Sequence, residues 1–509
     1  MDGKLEKKGF TEPPPESAST TSTEQDYQVV LEPHDNPQER SLLRRWLAVI
    51  TISASSLCVT CASSAASFTE GGISRDFHVG KEVAILGISL FVMGLGVGPL
   101  VVGPLSEVYG RNIVYRVSFF LFFAFSWPVA FAPNIVVYLV FRFLTGYCGA
   151  AFLSVAGGST DGCLHDFAFH RPELGPLFSG FINQNTSWRW TYYVLIIWSF
   201  IQFAALWLIV PETYIPVILK KKAQKLRKTT GNPDYWAPIE RRETSLARAL
   251  IVSCYTPFGM VPSSHPRSKV LTEAAELILY ERMALLLNLW TSLILGILYL
   301  TFQAFPIIFE QGHGFNMQTT GLTFLGIGLG QLLGLATQPY WNSKFARYKE
   351  KHGDPPPELH LQLGQVGGIL VPVSLFWLAF TTYRHVHWIA PIIASVPFGA
   401  GIYFVFTSTF TYLVVAYRPV AASAMASNSF MRSSFAAGFP LFAGQMYARL
   451  GTVGATALLA GLTTVMAPLP IGARVRQTSR FSGMPPAASA LAPAGKADEE
   501  SQPSSAMKS

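Results

Sequence analysis

Runs of apolar residues long enough to cross a membrane recur along this chain, at about 46–68, 83–102, 113–132, 135–157, 190–210, 284–308, 320–337, 364–382, 388–415, 420–443 and 452–469. A helix needs about 20 such residues to span about 30 Å of hydrocarbon. The pattern therefore predicts about eleven clear crossings, punctuated by polar, Pro or Gly segments. One long polar stretch, 211–282, divides five from six. Its run Lys220-Lys-Lys-Ala-Gln-Lys-Leu-Arg-Lys228 and the pair Arg44 and Arg45 ahead of the first span place both segments on the cytoplasmic side, where Lys and Arg accumulate. Two ends on one side require an even number of crossings between them, and five is odd.

The missing crossing must lie between 159 and 189. The only stretch available, 163–183, carries His165, Asp166, His170, Arg171 and Glu173. Each ionisable side chain at mid-bilayer costs about 2.5–3.5 kcal/mol or more, so this stretch resists insertion and a degraded fifth crossing is predicted.

Composition narrows the class. With 50% hydrophobic and 13% charged residues over 509 positions, and a mean hydropathy of +0.33, the chain is too apolar for an ordinary soluble enzyme. The formal charge of +8 sits beside apolar spans, which fits membrane orientation better than nucleic acid. Residues 1–41, rich in Pro, Ser, Thr and Glu, are expected to be a disordered cytoplasmic segment, and 471–509 a cytoplasmic tail. Without the short basic region and apolar core of a cleaved leader, the first span is expected to direct its own insertion. Between the ends, the expected organisation is an N-terminal bundle at 42–212, a linker at 213–283 and a C-terminal bundle at 284–470. Cys58 and Cys61 have the spacing of a redox or metal pair, but their apolar span holds no His or second pair, so no metal site is expected. No Gly-Lys-Ser/Thr phosphate loop and no Ser/His/Asp or zinc spacing stands out, which argues against ATP-driven transport and against an enzyme.

Several polar residues interrupt the apolar pattern where chemistry is expected. The turn at 103–111, Gly-Pro-Leu-Ser-Glu-Val-Tyr-Gly-Arg, sits between two spans; Gly103 and Gly110 permit a close approach or a sharp turn, and Glu107 and Arg111, four apart, can pair or cap helix ends. Arg142 lies in the fourth span beside Gly146 and Gly149, and a buried arginine faces a cavity or a partner unless it snorkels to the interface. In the second half Gln303, Gln331, Asn428 and Arg432 lie within apolar runs, with Tyr299, Tyr403, Phe404 and Phe406 adding aromatic surface. Such groups either line a substrate or proton site, of which Gln303, Gln331, Tyr403, Asn428 and Arg432 are the candidates, or pack helix on helix. A cavity of this mixed character suits bulky amphipathic organic molecules. Asn185-Thr-Ser187 is a possible glycosylation site, close to the sixth span.

The turn at 103–111 resembles the loop signature between the second and third helices of the major facilitator superfamily, with Glu107 where Asp is usual. Arg142-Phe-Leu-Thr-Gly-Tyr-Cys-Gly-Ala-Ala resembles that superfamily's antiporter motif, with Thr145 where glutamine is common. Gly175-Pro-Leu-Phe-Ser-Gly180 resembles the end of the exporters' fifth-helix motif. Together with Trp188-Arg-Trp190, Val210-Pro-Glu-Thr-Tyr214, Phe305-Pro-Ile-Ile-Phe309, Gly326-Ile-Gly-Leu-Gly330 and Ser427-Asn-Ser-Phe-Met-Arg-Ser433, these resemble the fungal drug:proton antiporters of the twelve-helix class over most of 42–480.

The resemblance implies an all-α membrane protein of two pseudo-symmetric six-helix bundles. It implies a conformational latch at Gly103, Glu107, Gly110 and Arg111, proton coupling through Arg142, and a fifth-helix remnant at Gly175, Pro176 and Gly180. The function implied is proton-coupled export of small organic molecules, such as drugs or secondary metabolites, by alternating access. An uptake permease or facilitator, or a transport-incompetent membrane protein, is the alternative. Protons, an organic substrate and the bilayer are the expected partners of a monomer, with no cofactor and no nucleic acid, in the cell membrane or alternatively the vacuolar membrane.

The same resemblance offers a reason for the degraded crossing. In similar fungal transporters the stretch before Pro-Glu-Leu-Gly-Pro tends to read M-A-V-Y-T-I-S-P-F-I-G-P. One coding of that string, entered two bases late, translates as Gly-Cys-Leu-His-Asp-Phe-Ala-Phe-His-Arg-Pro, the run at 162–172. The expectation is a fifth helix read in the wrong frame, with the frame restored at Glu173 and the unusual insert at 261–280 left from an intron.

Overall fold

The computed structural model describes residues 29, 41–154, 172–212, 214–238, 240, 282–353, 356–417 and 421–470. The expected readings of 1–28, 162–171, 261–280 and 471–509 lie outside them. Apart from a lone bridge residue at Trp236, whose carbonyl accepts from the Val29 amide at 3.1 Å, the described residues form helices and their connections. This is what a lipid environment dictates, because helices satisfy their own backbone hydrogen bonds.

In the first half the crossings are α1 (Leu42–Ser64), α3 (Lys81–Tyr109), α4 (Arg111–Ala130), α5 (Ile135–Gly149) and α8 (Arg189–Ile209), with the short α2 (Glu70–Phe77) after the first and α6 (Ala151–Ser154) after α5. The fifth crossing is represented by α7 (Leu174–Asn185), whose twelve residues span about 18 Å. A basic amphipathic helix, α9 (Ile215–Thr230), follows. The second half runs through α10 (Arg282–Phe305), α11 (Met317–Thr323), α12 (Leu325–Ala336), the basic α13 (Gln338–His352), α14 (Leu361–Thr381), α15 (Ile389–Ala416) and α16 (Ala421–Met466). Among the described residues nine spans are long and apolar enough to cross a membrane. One of them is double: Gly451, at φ 71°, reverses α16, and the Tyr447 hydroxyl lies 3.1 Å from Thr456 Oγ1, a separation that nine residues of continuous helix forbid.

Two apolar cores result. One joins Val59, Phe91, Phe119, Phe122, Tyr138 and Tyr192 of the first half. The other gathers Trp290, Phe302, Phe305, Phe398 and Tyr412 of the second half, with Phe68 and Val92 reaching in from the first.

Glycine governs how closely the helices of each core approach. A Cβ on Gly94 would sit 2.5 Å from the Phe143 carbonyl oxygen, and one on Gly146 would fall on the Phe91 carbonyl oxygen, so α3 and α5 press backbone to backbone. The second half repeats the device, with Gly330 against the Val396 carbonyl and Gly399 against that of Ile327, between α12 and α15. Each pair is reciprocal and uses residues three apart, a local sign of the internal repeat typical of transporters.

Alanine at Gly146 or Gly330 forces these backbones apart, an overpacking cost of about 1–3 kcal/mol. Gly328 faces open space, so Gly328→Ala should be neutral or slightly stabilising. Thermal unfolding of the purified variants checks this. Equal stability of all three would remove the packing role.

Candidate functional site

The helix ends divide into two faces. One carries Arg44, Arg45, the turn at 110–112, the lysines of α9 and those of α13; the other carries the loops at 68–80, 185–188, 312–316, 382–388 and 451. Between the halves, near mid-helix, lies a cavity of about 60 Å³ lined among others by Thr60, Tyr299, Gln331, Phe406, Arg432 and Ser433. A water occupies at least about 10–15 Å³ of such volume, whereas drug-sized ligands occupy pockets of about 300–1,000 Å³. This cavity therefore has room for a few waters. Within it the Arg432 guanidinium lies over the rings of Phe406 and Phe410, at 5.4 and 5.0 Å, and its Nε has no hydrogen-bond partner among the described residues.

Among the described residues, the hydrogen bonds between the halves lie at mid-depth and on the face opposite the basic one. The Tyr299 hydroxyl bonds Ser63 Oγ at 2.8 Å, and Gln184 Oε1 accepts from the Met317 amide at 3.1 Å. Three carboxyls of the first half each receive an amide of the second. Gln303 Nε2 donates to buried Glu70, Gln331 Nε2 donates to buried Glu173 at 2.9 Å, and Gln445 Nε2 donates to exposed Glu82 at 2.9 Å. Gly180 of α7 comes within 2.8 Å, by its Cβ direction, of the Met317 carbonyl, and Gly321 meets Pro176 in return. Gly175 packs against Ser64 and the Cys61 carbonyl of α1. Gly175, Pro176 and Gly180 thus lie where α7 wedges between α1 and α11. No hydrogen bond among the described residues ties the halves together at the basic face.

Arg142 is 2% exposed, inside the first bundle rather than in the central cavity. Its Nε donates to the Gly87 carbonyl at 3.0 Å and its Nη1 to the Ala62 carbonyl at 3.1 Å, with the Phe91 ring 4.4 Å below. It therefore bridges α1, α3 and α5, with backbone carbonyls as its partners and without snorkelling. Nearby, the Tyr138 and Tyr192 hydroxyls bond at 2.7 Å.

The remaining candidates separate. Gln331 and Arg432 reach the cavity with Tyr299 and Phe406, but Gln303 is committed to Glu70. Tyr403 donates to Gln338 Oε1 at 3.0 Å near the basic face, and Asn428 binds Asn288 and Thr291 at 2.9 Å each, joining α16 to α10. Asn185 is exposed and donates to the Phe181 carbonyl.

At the turn, Gly110 takes φ 94°, a conformation only glycine adopts without strain, and a Cβ there would stand 2.6 Å from Glu212 Oε2. Gly103 is helical and meets nothing within 4 Å, so it provides no close approach. Glu107 belongs to the last turn of α3, its side chain outside the described residues. The acid that caps α4 is Glu212: it accepts from the Arg111 amide at 3.1 Å and the Asn112 amide at 3.3 Å, while Asn112 Nδ2 donates to the Val210 carbonyl. Sequence reading noted the run holding Glu212 only as the close of a span, because nothing local tells that a residue a hundred positions on will cap α4. Glu70 went unread for the same reason.

Glu212→Ala leaves two helix N–H groups without their acceptor, a loss of about 0.5–2 kcal/mol. Faster hydrogen exchange at the Arg111 and Asn112 amides is expected, with Lys221→Ala unchanged. Unaltered protection in Glu212→Ala would remove the cap from the latch.

The sequence profile of the Major Facilitator Superfamily matches residues 52–160 and 173–441. Efflux pump atB of Aspergillus terreus is 44% identical over 413 residues, 76% of this chain and 83% of that protein. The probable drug/proton antiporter YHK8 of Saccharomyces cerevisiae is 37% identical over 473 residues, 89% of this chain and 88% of its own. Among solved structures, the proton:xylose symporter XylE bound to 6-bromo-6-deoxy-D-glucose superposes with a TM-score of 0.59 at 14% identity, covering 85% of this chain and 96% of that one. The human organic anion transporter MFSD10 gives 0.56 at 15% identity, over 84% and 99%. These two share the fold. Two glycine-locked bundles around a central cavity, and relatives matched over most of their length, lead to one assignment: the chain is a multi-pass membrane transporter that belongs to the Major Facilitator Superfamily, among its fungal efflux pumps and drug/proton antiporters.

Proposed function

We propose that the protein is a proton-coupled exporter of small organic molecules, working as a monomer by alternating access, with its basic face toward the cytoplasm. The observation that carries this reading is the placing of the inter-bundle hydrogen bonds: they hold the halves together opposite the basic face and leave the basic face without any among the described residues. With the basic side inside, these bonds lie at mid-depth and toward the outer face, the side an exporter keeps closed while it loads. The relatives named drug/proton antiporters and efflux pumps support the direction and the coupling ion. Tyr299, Phe406 and Gln331 supply aromatic and polar surface for an organic molecule once the cavity widens.

In this reading Arg142 couples proton movement to the packing of α1 on α3 and α5, because it grips two backbone carbonyls from different helices at once. Lysine keeps the charge but cannot present the same fork. Arg142→Lys is expected to reach the membrane at normal abundance and to lose most gradient-driven transport. Full transport by that variant would sink the role. For the whole reading, purified protein in liposomes should move a fluorescent organic probe when a pH gradient is imposed and stop when it is collapsed. Indifference to the gradient would favour a facilitator.

A second reading concerns the message. The superfamily match lapses at 161–172, the stretch whose residues read as an apolar fifth helix out of frame. That lapse supports a frame or splicing error in the sequence as written, the true protein having an apolar fifth crossing. Sequencing the transcript across this stretch tests it: a message that encodes His165 to Arg171 as written overturns the idea and favours a chain that transports poorly.

A further inference from the structure

The three acid–amide pairs across the bundle interface share an uncommon choice of partner. A lysine or arginine opposite a buried carboxyl would hold it ionised, whereas a glutamine amide bonds the neutral and the ionised form alike. Such a partner lets the carboxyl change its charge without losing its contact.

Glu70 is where this matters most. It is 5% exposed, at the start of α2 just past the first span, and Gln303 of α10 donates to its Oε1. No ion pair to it forms among the described residues; the groups that act on it are Lys81 at the head of α3, Gln303, and Tyr138 of α5, with Arg142 behind that tyrosine. A carboxylate removed from water with one amide for compensation loses more hydration than the bond returns. Burial accordingly pushes the Glu70 carboxyl up to about 8, against the opposing pull of Lys81 and Gln303. Around the pair, Phe68 packs edge-on against Phe324 with ring centroids 6.4 Å apart, and the Ser63 to Tyr299 bond closes the level beneath. When the halves part at this face, Gln303 withdraws and water reaches the carboxyl.

We propose that Glu70 is a proton-binding gate residue: as a neutral acid sealed against Gln303 it holds the outer face closed, and as a hydrated carboxylate it holds that face open. A proton taken from outer water by the exposed carboxylate permits closure after substrate has left, and the carboxyl gives it back to water when the face opens again. The inference rests on the exporter reading for the direction of the cycle, though the chemistry of the pair does not depend on it.

The linkage has a definite sign. The closed state binds Glu70's proton more tightly than the open one, where the carboxyl titrates near an ordinary value of about 4.3. Its extra stability is full below that value, falls as pH rises, and is gone above about 8.

The test uses full-length protein whose five native cysteines are replaced, with spin labels on cysteines introduced at the exposed positions Asn185 and Gln311, on opposite halves of the outer rim. Pulsed electron resonance should report a short distance at acid pH and a growing longer population as pH rises to about 8. Glu70→Gln, permanently neutral and of the same shape, should stay short throughout. A wild-type distance that ignores pH, or a pH response that survives unaltered in Glu70→Gln, overturns the proposal. Should the variant misfold, wild type alone decides: the infrared carbonyl band of a buried protonated carboxyl must titrate in step with the distance, and its absence is equally fatal. Neither readout needs a substrate. Liposomes without gradient-driven transport would therefore sink the exporter reading while these measurements still judge the gate.

Discussion

Hydrocarbon offers a polar group no hydrogen bond, and every arrangement in this molecule follows from that constraint. Backbone amides are satisfied within helices, so the chain is helical wherever it crosses. Side chains that must stay polar inside the bundle have to find partners there. Arg142 spends its guanidinium on the Gly87 and Ala62 carbonyls, Asn428 reaches Asn288 and Thr291, and Tyr138 closes on Tyr192. These bonds stay within one bundle and make it rigid.

Helices in lipid gain little from apolar burial against one another, so their adhesion depends on close approach. The reciprocal glycine contacts of α3 with α5 and of α12 with α15 provide it in each half. Rigid halves are what rocking about a central site requires. The interface between them is made differently, from amides on carboxyls, a tyrosine on a serine and glycine contacts at Gly180, Gly321 and Gly96, the last against Ser433. Such contacts are individually modest, about 0.5–1.5 kcal/mol for a neutral hydrogen bond, and water can replace them. The molecule is thus strong within each half and separable between them, and the separable contacts include the carboxyls of Glu70, Glu82 and Glu173.

The turn between α3 and α4 illustrates how the two kinds of contact meet. Gly110 is there because φ 94° and the nearness of Glu212 leave no place for a Cβ. Glu212, at the far end of the first bundle's last crossing, caps α4 and so ties the bundle's second, third and sixth crossings at the basic face.

Hydropathy alone determined the class of fold. Apolar runs of span length need no partner to be recognised, and the positions read for crossings agree with the helices, including two crossings at 420–443 and 452–469 where the backbone bends back at Gly451. The motifs carried the family in the same local way, through residues close in sequence. What the sequence by itself left undecided was direction and distance: which polar residues of the second half face the cavity, which acid caps α4, and what stands opposite Glu70. Gln303, Gln331 and Asn428 look alike in an apolar run, yet one meets a carboxyl near the outer rim, one lines the cavity and one knits two helices. Only the tertiary structure decided among them, because a side chain's role inside a bundle is set by the neighbour across the interface, and that neighbour is often more than a hundred residues away.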